Sequence, residues 1–130
     1  MLSDKSKQYM LNSFLQTIVP LSDRAEQRRM WLGNRGREAR NWDYAIAEFF
    51  DYQYILALYR DFCITEREFK LLIELYGRLT MFMEHHTHSY SEELKSSVTR
   101  TTEECLALPE WQGIVDLSKK VLQAFNCKHS

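Results

Sequence analysis

The chain has 130 residues, 45% hydrophobic and 27% charged, with a net charge of −1 and a pI near 6.4. That length suits one compact domain that buries a core without disulfide or metal staples, and the near-neutral balance lacks the strongly basic footprint of a nucleic-acid binder. No apolar run approaches the ~20 residues needed to cross a bilayer, so no membrane partner is expected.

Two prolines and four glycines are few breakers, which predicts helices rather than many short strands. Residues 3–19 read as a first helix capped by Ser3. Tyr9, Met10, Phe14, Leu15 and Ile18 recur at spacings of three and four as one apolar stripe. Pro20 is expected to end it, because proline disfavours helix at the residue before it. Ser22 is the expected cap of a second helix, with Asp23 in its first turn and Ala25, Met30, Trp31 and Leu32 as apolar content. The polar stretch GNRGREAR follows, and its glycines and Asn34 predict a turn.

Trp42 to Phe62 holds eight of the chain's seventeen aromatics and reads as the central helix. Asn41 or Asp43 caps it. Ile46, Phe49, Phe50, Gln53, Leu56 and Tyr59 form one face, and Ala45 and Tyr52 widen it, leaving only a strip through Glu48, Asp51 and Ile55 free of the core. A helix apolar over most of its circumference is normally surrounded by others. A break between Asp51 and Tyr54 is an open alternative. It would preserve the core role but interrupt the strip.

Thr65 and Glu68 fit a capping box, and Phe69, Leu72, Ile73, Tyr76, Leu79, Thr80 and Met83 trace a helical period from Glu66 to about His86. Gly77 inside it is expected to permit close helix packing. A second capping box, Ser89 to Glu92, precedes a weaker helix through Leu94, Val98, Cys105 and Leu106. Pro109 suits the first turn of a last helix with Trp111, Ile114, Val115, Leu122 and Phe125 as its stripe. The expected fold is all-α: one domain over 1–130, a single compact bundle of five or six helices around a central helix near 42–62.

Charge is unevenly spread. Residues 1–41 carry eight basic and four acidic groups, residues 42–116 six and fourteen, and residues 117–130 three and none. An acidic middle between basic ends can steer a charged partner, although fold-back of the chain can mix the signs. The N-terminal stretch lacks the uninterrupted apolar region and cleavage site of a secretory signal. Cys63, Cys105 and Cys127 are odd in number and widely spaced, which fits a reducing compartment, so a cytoplasmic location is expected.

Three constellations bear on chemistry. In the cluster Glu84-His85-His86-Thr87-His88, Glu84 and His88 are four apart and His85 and His88 three apart, a ligand spacing, yet a di-iron bundle needs Glu-x-x-His motifs that the chain lacks, and histidine also suits a helix C-terminus. Arg24, Arg28, Arg29, Arg35, Arg37 and Arg40, with Trp31 and Trp42 for stacking, could contact phosphate, although Glu26 and Glu38 interrupt the run. Among the thiols, Cys63 and Cys105 read as buried small hydrophobes, and Cys127 lies in the tail beside Lys128 and His129. No nucleophile elbow or carboxylate pair stands out, so no catalytic residues, no metal and no cofactor are expected. The remaining feature is the outer strip Tyr44, Glu48, Asp51, Tyr52 and Ile55, where tyrosines and acids together suit a protein interface.

The segments Trp31-x-Gly33, Trp42-Asp43-Tyr44 and Glu48-Phe49-Phe50-Asp51-Tyr52 resemble helical immunity proteins of bacterial polymorphic-toxin and contact-dependent growth-inhibition systems, over about residues 30–60. The resemblance implies a cytosolic, non-catalytic protein that binds a cognate toxin domain, often a basic nuclease, and blocks its active site or substrate groove. On that reading Glu48 and Asp51, with Asp43 and Asp61, pair with basic groups that otherwise hold phosphate, and Tyr44 and Tyr52 are the desolvated anchors. The alternatives are a helical nucleic-acid-binding regulator using the Arg24–Arg40 segment and a metal-binding protein using Glu84, His85 and His88. A leftover apolar stripe would support homodimerisation.

Overall fold

The computed structural model describes residues 3–32, 41–86 and 102–129. Every element among them is helical: α1 (Asp4–Ser22), α2 (Arg24–Gln27) with a π-helical turn over Arg28–Leu32, α3 (Asn41–Phe50), α4 (Tyr54–Ala57), a 3₁₀ turn (Tyr59–Phe62), α5 (Glu66–His86), α6 (Thr102–Leu106) and α7 (Pro109–His129). The expected turn in 33–40 and the expected capping box Ser89–Glu92, with Leu94 and Val98 after it, lie outside the described residues. No helix among the described residues is long and apolar enough to cross a membrane.

Ser3 caps α1 as expected, its hydroxyl accepting from the Ser6 amide at 3.1 Å. The helix does not stop before Pro20 but runs through it to Ser22. So close to the end, proline removes one ladder bond where few remain to be made. The open carbonyls of Pro20 and Leu21 then accept from Gln27 Nε2 at 2.8 and 3.1 Å. Asp23, not Ser22, caps α2 by accepting from the Glu26 amide at 3.0 Å, while the Ser22 hydroxyl donates back to the Val19 carbonyl. The buried stripe of α1 is Leu11, Phe14, Ile18 and Leu21, and Tyr9 stands outside it, 73% exposed.

The central segment is three short pieces rather than one helix. Asp51, Tyr52 and Gln53 form a turn between α3 and α4, and Leu58 separates α4 from the 3₁₀ turn. The turn resets the helical phase. Ile55, which a continuous helix would turn outward, is fully buried, and Gln53 of the expected core face is exposed. The segment closes on Cys63 in the left-handed conformation (φ 60°), where the Cys63 and Ile64 amides donate to the Arg60 and Tyr59 carbonyls. This position leaves Cys63 exposed, contrary to its expected burial, whereas Cys105 is buried as expected.

α5 starts at the expected capping box. The Thr65 amide donates to Glu68 Oε1 at 2.8 Å, and the Glu68 amide to Thr65 Oγ1 at 3.2 Å. Leu72, Leu75, Leu79 and Phe82 form its buried stripe, so Ile73 of the expected face points away from the core. Gly77 does not serve packing among the described residues, since a Cβ built there meets none of them within 4 Å. Its helix-weakening effect, up to ~1 kcal/mol against alanine, has no offsetting contact among the described residues.

α7 begins at Pro109 and packs on both α1 and α5, making these three the frame of the bundle, with α3 laid against α1. Two tryptophans close the core around one phenylalanine: Phe82 lies 5.1 Å from Trp42, edge-on at 86°, and 5.1 Å from Trp111 at 55°. Trp111 Nε1 donates to Gln27 Oε1 at 2.9 Å, so a buried Gln27 binds the end of α1 to the start of α7. The equally buried Trp42 Nε1 finds no partner among the described residues.

Candidate functional site

α3 turns Ala45, Ile46 and Phe49 inward, and this fixes what faces out. Residues three and four apart share a helical face, so Tyr44, Glu48 and Asp51 follow one another along the outer edge. Tyr44 is 58% exposed, and Glu48 and Asp51 are exposed. Tyr52 is half-buried, its ring stacked at 6.0 Å on Phe14 of α1 and at 6.3 Å on Tyr54. Phe14 in turn lies 5.2 Å from Phe49, and Phe50 lies 5.3 Å from Tyr76 of α5. An aromatic layer through α1, α3 and α5 therefore supports the edge from below.

Glu48, Asp51 and Tyr52 meet Ser13, Gln16 and Thr17 of α1 across an open groove of about 390 Å³. The Thr17 hydroxyl is occupied, donating to the Phe14 carbonyl at 2.6 Å. Glu48 and Asp51 form no ion pair among the described residues. The groove thus offers two unpaired carboxylates, an aromatic wall and polar groups, which suits the head of a lysine or arginine entering from outside. The α1 side of the groove was not among the expected site residues. The polar pair Ser13 and Gln16, three apart on a helix otherwise read for its apolar stripe, was the available signal.

The other expected site residues separate from this group. Asp61 is exposed in the 3₁₀ turn and lines a different groove of about 460 Å³ with Ala57, Leu58, Tyr59 and Arg60. Asp43 lies in α3, but its side chain lies outside the described residues. Ile55 leaves the strip altogether by being buried. A third and larger groove, about 950 Å³ between α5 and α7, is lined by charges of both signs, including Glu66, Arg67, Lys70, Glu74 and Lys120.

The basic segment is partly committed to the fold. The Arg24 guanidinium donates to Gln112 Oε1 at 2.8 Å and to the Leu106 carbonyl at 2.7 Å, and Arg29 pairs with Glu26. That pairing with Glu26 holds the Arg29 pKa above its ordinary value. Arg28 is exposed, and Arg35, Arg37 and Arg40 lie outside the described residues. In the histidine cluster, His85 Nδ1 lies 3.6 Å from Glu110 Oε2 of α7, and His88 lies outside the described residues. Among the described residues no group of three histidine, cysteine, aspartate or glutamate side chains is placed to hold a metal ion.

At the start of α5, Tyr59 Oη donates to Glu66 Oε1 at 2.7 Å and Arg60 donates to the same oxygen at 3.2 Å. The tyrosine hydrogen bond first, and the arginine second, hold the Glu66 carboxyl below the usual carboxylate range. Tyr59 also stacks on Phe69 at 3.9 Å, which fastens the 3₁₀ turn to α5.

Comparison with protein-family models, with curated proteins and with solved structures gave no match.

Proposed function

We propose that this chain is a non-catalytic, cytosolic binding protein of the immunity type, which neutralises a cognate nuclease-type toxin domain by covering its active site or substrate groove. The observation that carries the reading is the groove edge of α3. Glu48 and Asp51 are exposed, unpaired among the described residues, and flanked by Tyr44 and the stacked Tyr52. Exposed acids without an ion pair among the described residues are available to a basic partner, and a tyrosine already packed, as Tyr52 is, loses little freedom on binding. A nuclease groove, lined with the lysines and arginines that hold phosphate, has the complementary chemistry.

The arrangement supports this reading over a phosphate-binding regulator, because Arg24 and Arg29 of the basic segment already have internal partners. The test is to read the neighbouring genes for a toxin-like nuclease domain and to co-express that domain with this chain, followed by co-purification and a nuclease assay. A stoichiometric complex without nuclease activity is expected. An active nuclease that does not co-purify contradicts the proposal.

A further inference from the structure

The face of α5 diametrically opposite its buried stripe carries Lys70, Ile73, Gly77, Met81 and Glu84, all exposed. Ile73 and Met81 are large apolar side chains left 42% and 56% open to solvent. Between them, a Cβ at Gly77 would meet nothing within 4 Å. The order of these residues is symmetric about Gly77. The two apolar side chains stand four positions to either side, and a cation and an anion stand seven positions to either side.

We propose that this face is the contact between two copies of the chain, with the α5 helices antiparallel about a two-fold axis through Gly77. In an isologous pair each residue meets its symmetry-related position on the other copy. About Gly77, Ile73 of one copy therefore meets Met81 of the other, and Lys70 meets Glu84, twice each. A parallel pairing would instead set Lys70 against Lys70 and Glu84 against Glu84. The charge pattern thus selects both the occupant and its direction. The glycine lets the two helix backbones approach at the axis, where any side chain would hold them apart. The ion pair Glu74–Arg78, 3.4 Å within one chain, runs alongside the face.

The contact spans about 21 Å of helix, at 1.5 Å per residue, which places it among small interfaces that form reversibly with concentration. It shares no residue with the Tyr44–Glu48–Asp51 edge and does not depend on the toxin reading.

The test is measurement of the mass of the full chain by sedimentation equilibrium in the analytical ultracentrifuge, from low micromolar to near-millimolar concentration. The wild-type mass is expected to rise from 15.6 kDa toward twice that value. Gly77→Leu is expected to abolish the rise while keeping the helical circular dichroism, since the described residues leave space there. Lys70→Glu alone and Glu84→Lys alone are each expected to remain monomeric, because each sets like charges together. Mixing those two variants is expected to restore association, because the antiparallel pairing of one with the other is complementary at both ends. A wild type that stays monomeric throughout overturns the proposal. So does a Gly77→Leu chain that associates like wild type, or a mixture of the two charge variants that stays monomeric.

Discussion

Two stretches of similar length, residues 42–62 and 66–86, meet the core in opposite ways. The first is apolar around most of its circumference and breaks into α3, α4 and a 3₁₀ turn, so that Trp42, Phe49, Ile55 and Phe62 all reach the interior. The second is amphipathic and stays one helix, burying Leu72, Leu75, Leu79 and Phe82 along one stripe. Breaking the helix lets a chain bury side chains from several directions, but it cannot carry a long regular outer face. Glu48 and Asp51 of the first stretch therefore share one short edge beside Ser13 and Gln16, while Asp61 stands apart in another groove. The unbroken helix keeps a regular outer stripe with balanced charges.

The largest expected effects come from the interior of each stretch. Phe82→Ala and Phe49→Ala should each destabilise the fold by about 3–5 kcal/mol in denaturant unfolding. Phe82→Ala should lie higher in that range, because its ring joins both tryptophans. A greater loss for Phe49→Ala would make the broken segment, and not α5, the centre of packing.

Next come the two tryptophans. Trp111→Phe leaves Gln27 Oε1 buried without its donor, an added loss of about 1–3 kcal/mol that Trp42→Phe does not incur. Urea midpoints of the two variants measure the difference, and equal losses would remove Gln27 from its role in joining α1 to α7.

These contrasts also mark what the sequence could reveal. The Thr65–Glu68 capping box and the start of α7 at Pro109 are local, decided within a turn of chain, and both stand where the sequence placed them. The bonds from Gln27 to the Pro20 and Leu21 carbonyls, and from Trp111, 84 residues away, to Gln27, join distant segments, so no local rule could find them. Ile55 departs from the expected outer strip because the turn at residues 51–53 resets the helical phase. Tyr44, Glu48 and Asp51 precede that turn or sit at its start, and their exposure was legible. The α1 side of the groove was not, since it arises from packing between distant segments.

Smaller effects sharpen the contrast on α5. As a Cβ at Gly77 would meet nothing among the described residues, Gly77→Ala should raise the stability of the dilute monomer by up to ~1 kcal/mol, read as an increase in Tm. An unchanged or lowered Tm would mean that glycine is required by the fold itself. The smallest effect belongs to Glu66. Its folded pKa lies below the unfolded value, so its contribution is present at neutral pH and is lost as pH falls through the folded pKa. Glu66→Gln should therefore slightly flatten the acid limb of the stability curve. Its exposure to solvent keeps the effect small, and an NMR titration of the Glu66 carboxyl checks the direction.

The acidic edge itself is tested most directly by affinity. For the proposed toxin partner, binding of a candidate nuclease domain is measured by calorimetry for the wild type and for the double variant Glu48→Lys with Asp51→Lys. A loss of about a hundredfold or more is expected, with helical content unchanged. Full affinity in the double variant would contradict occlusion through this edge.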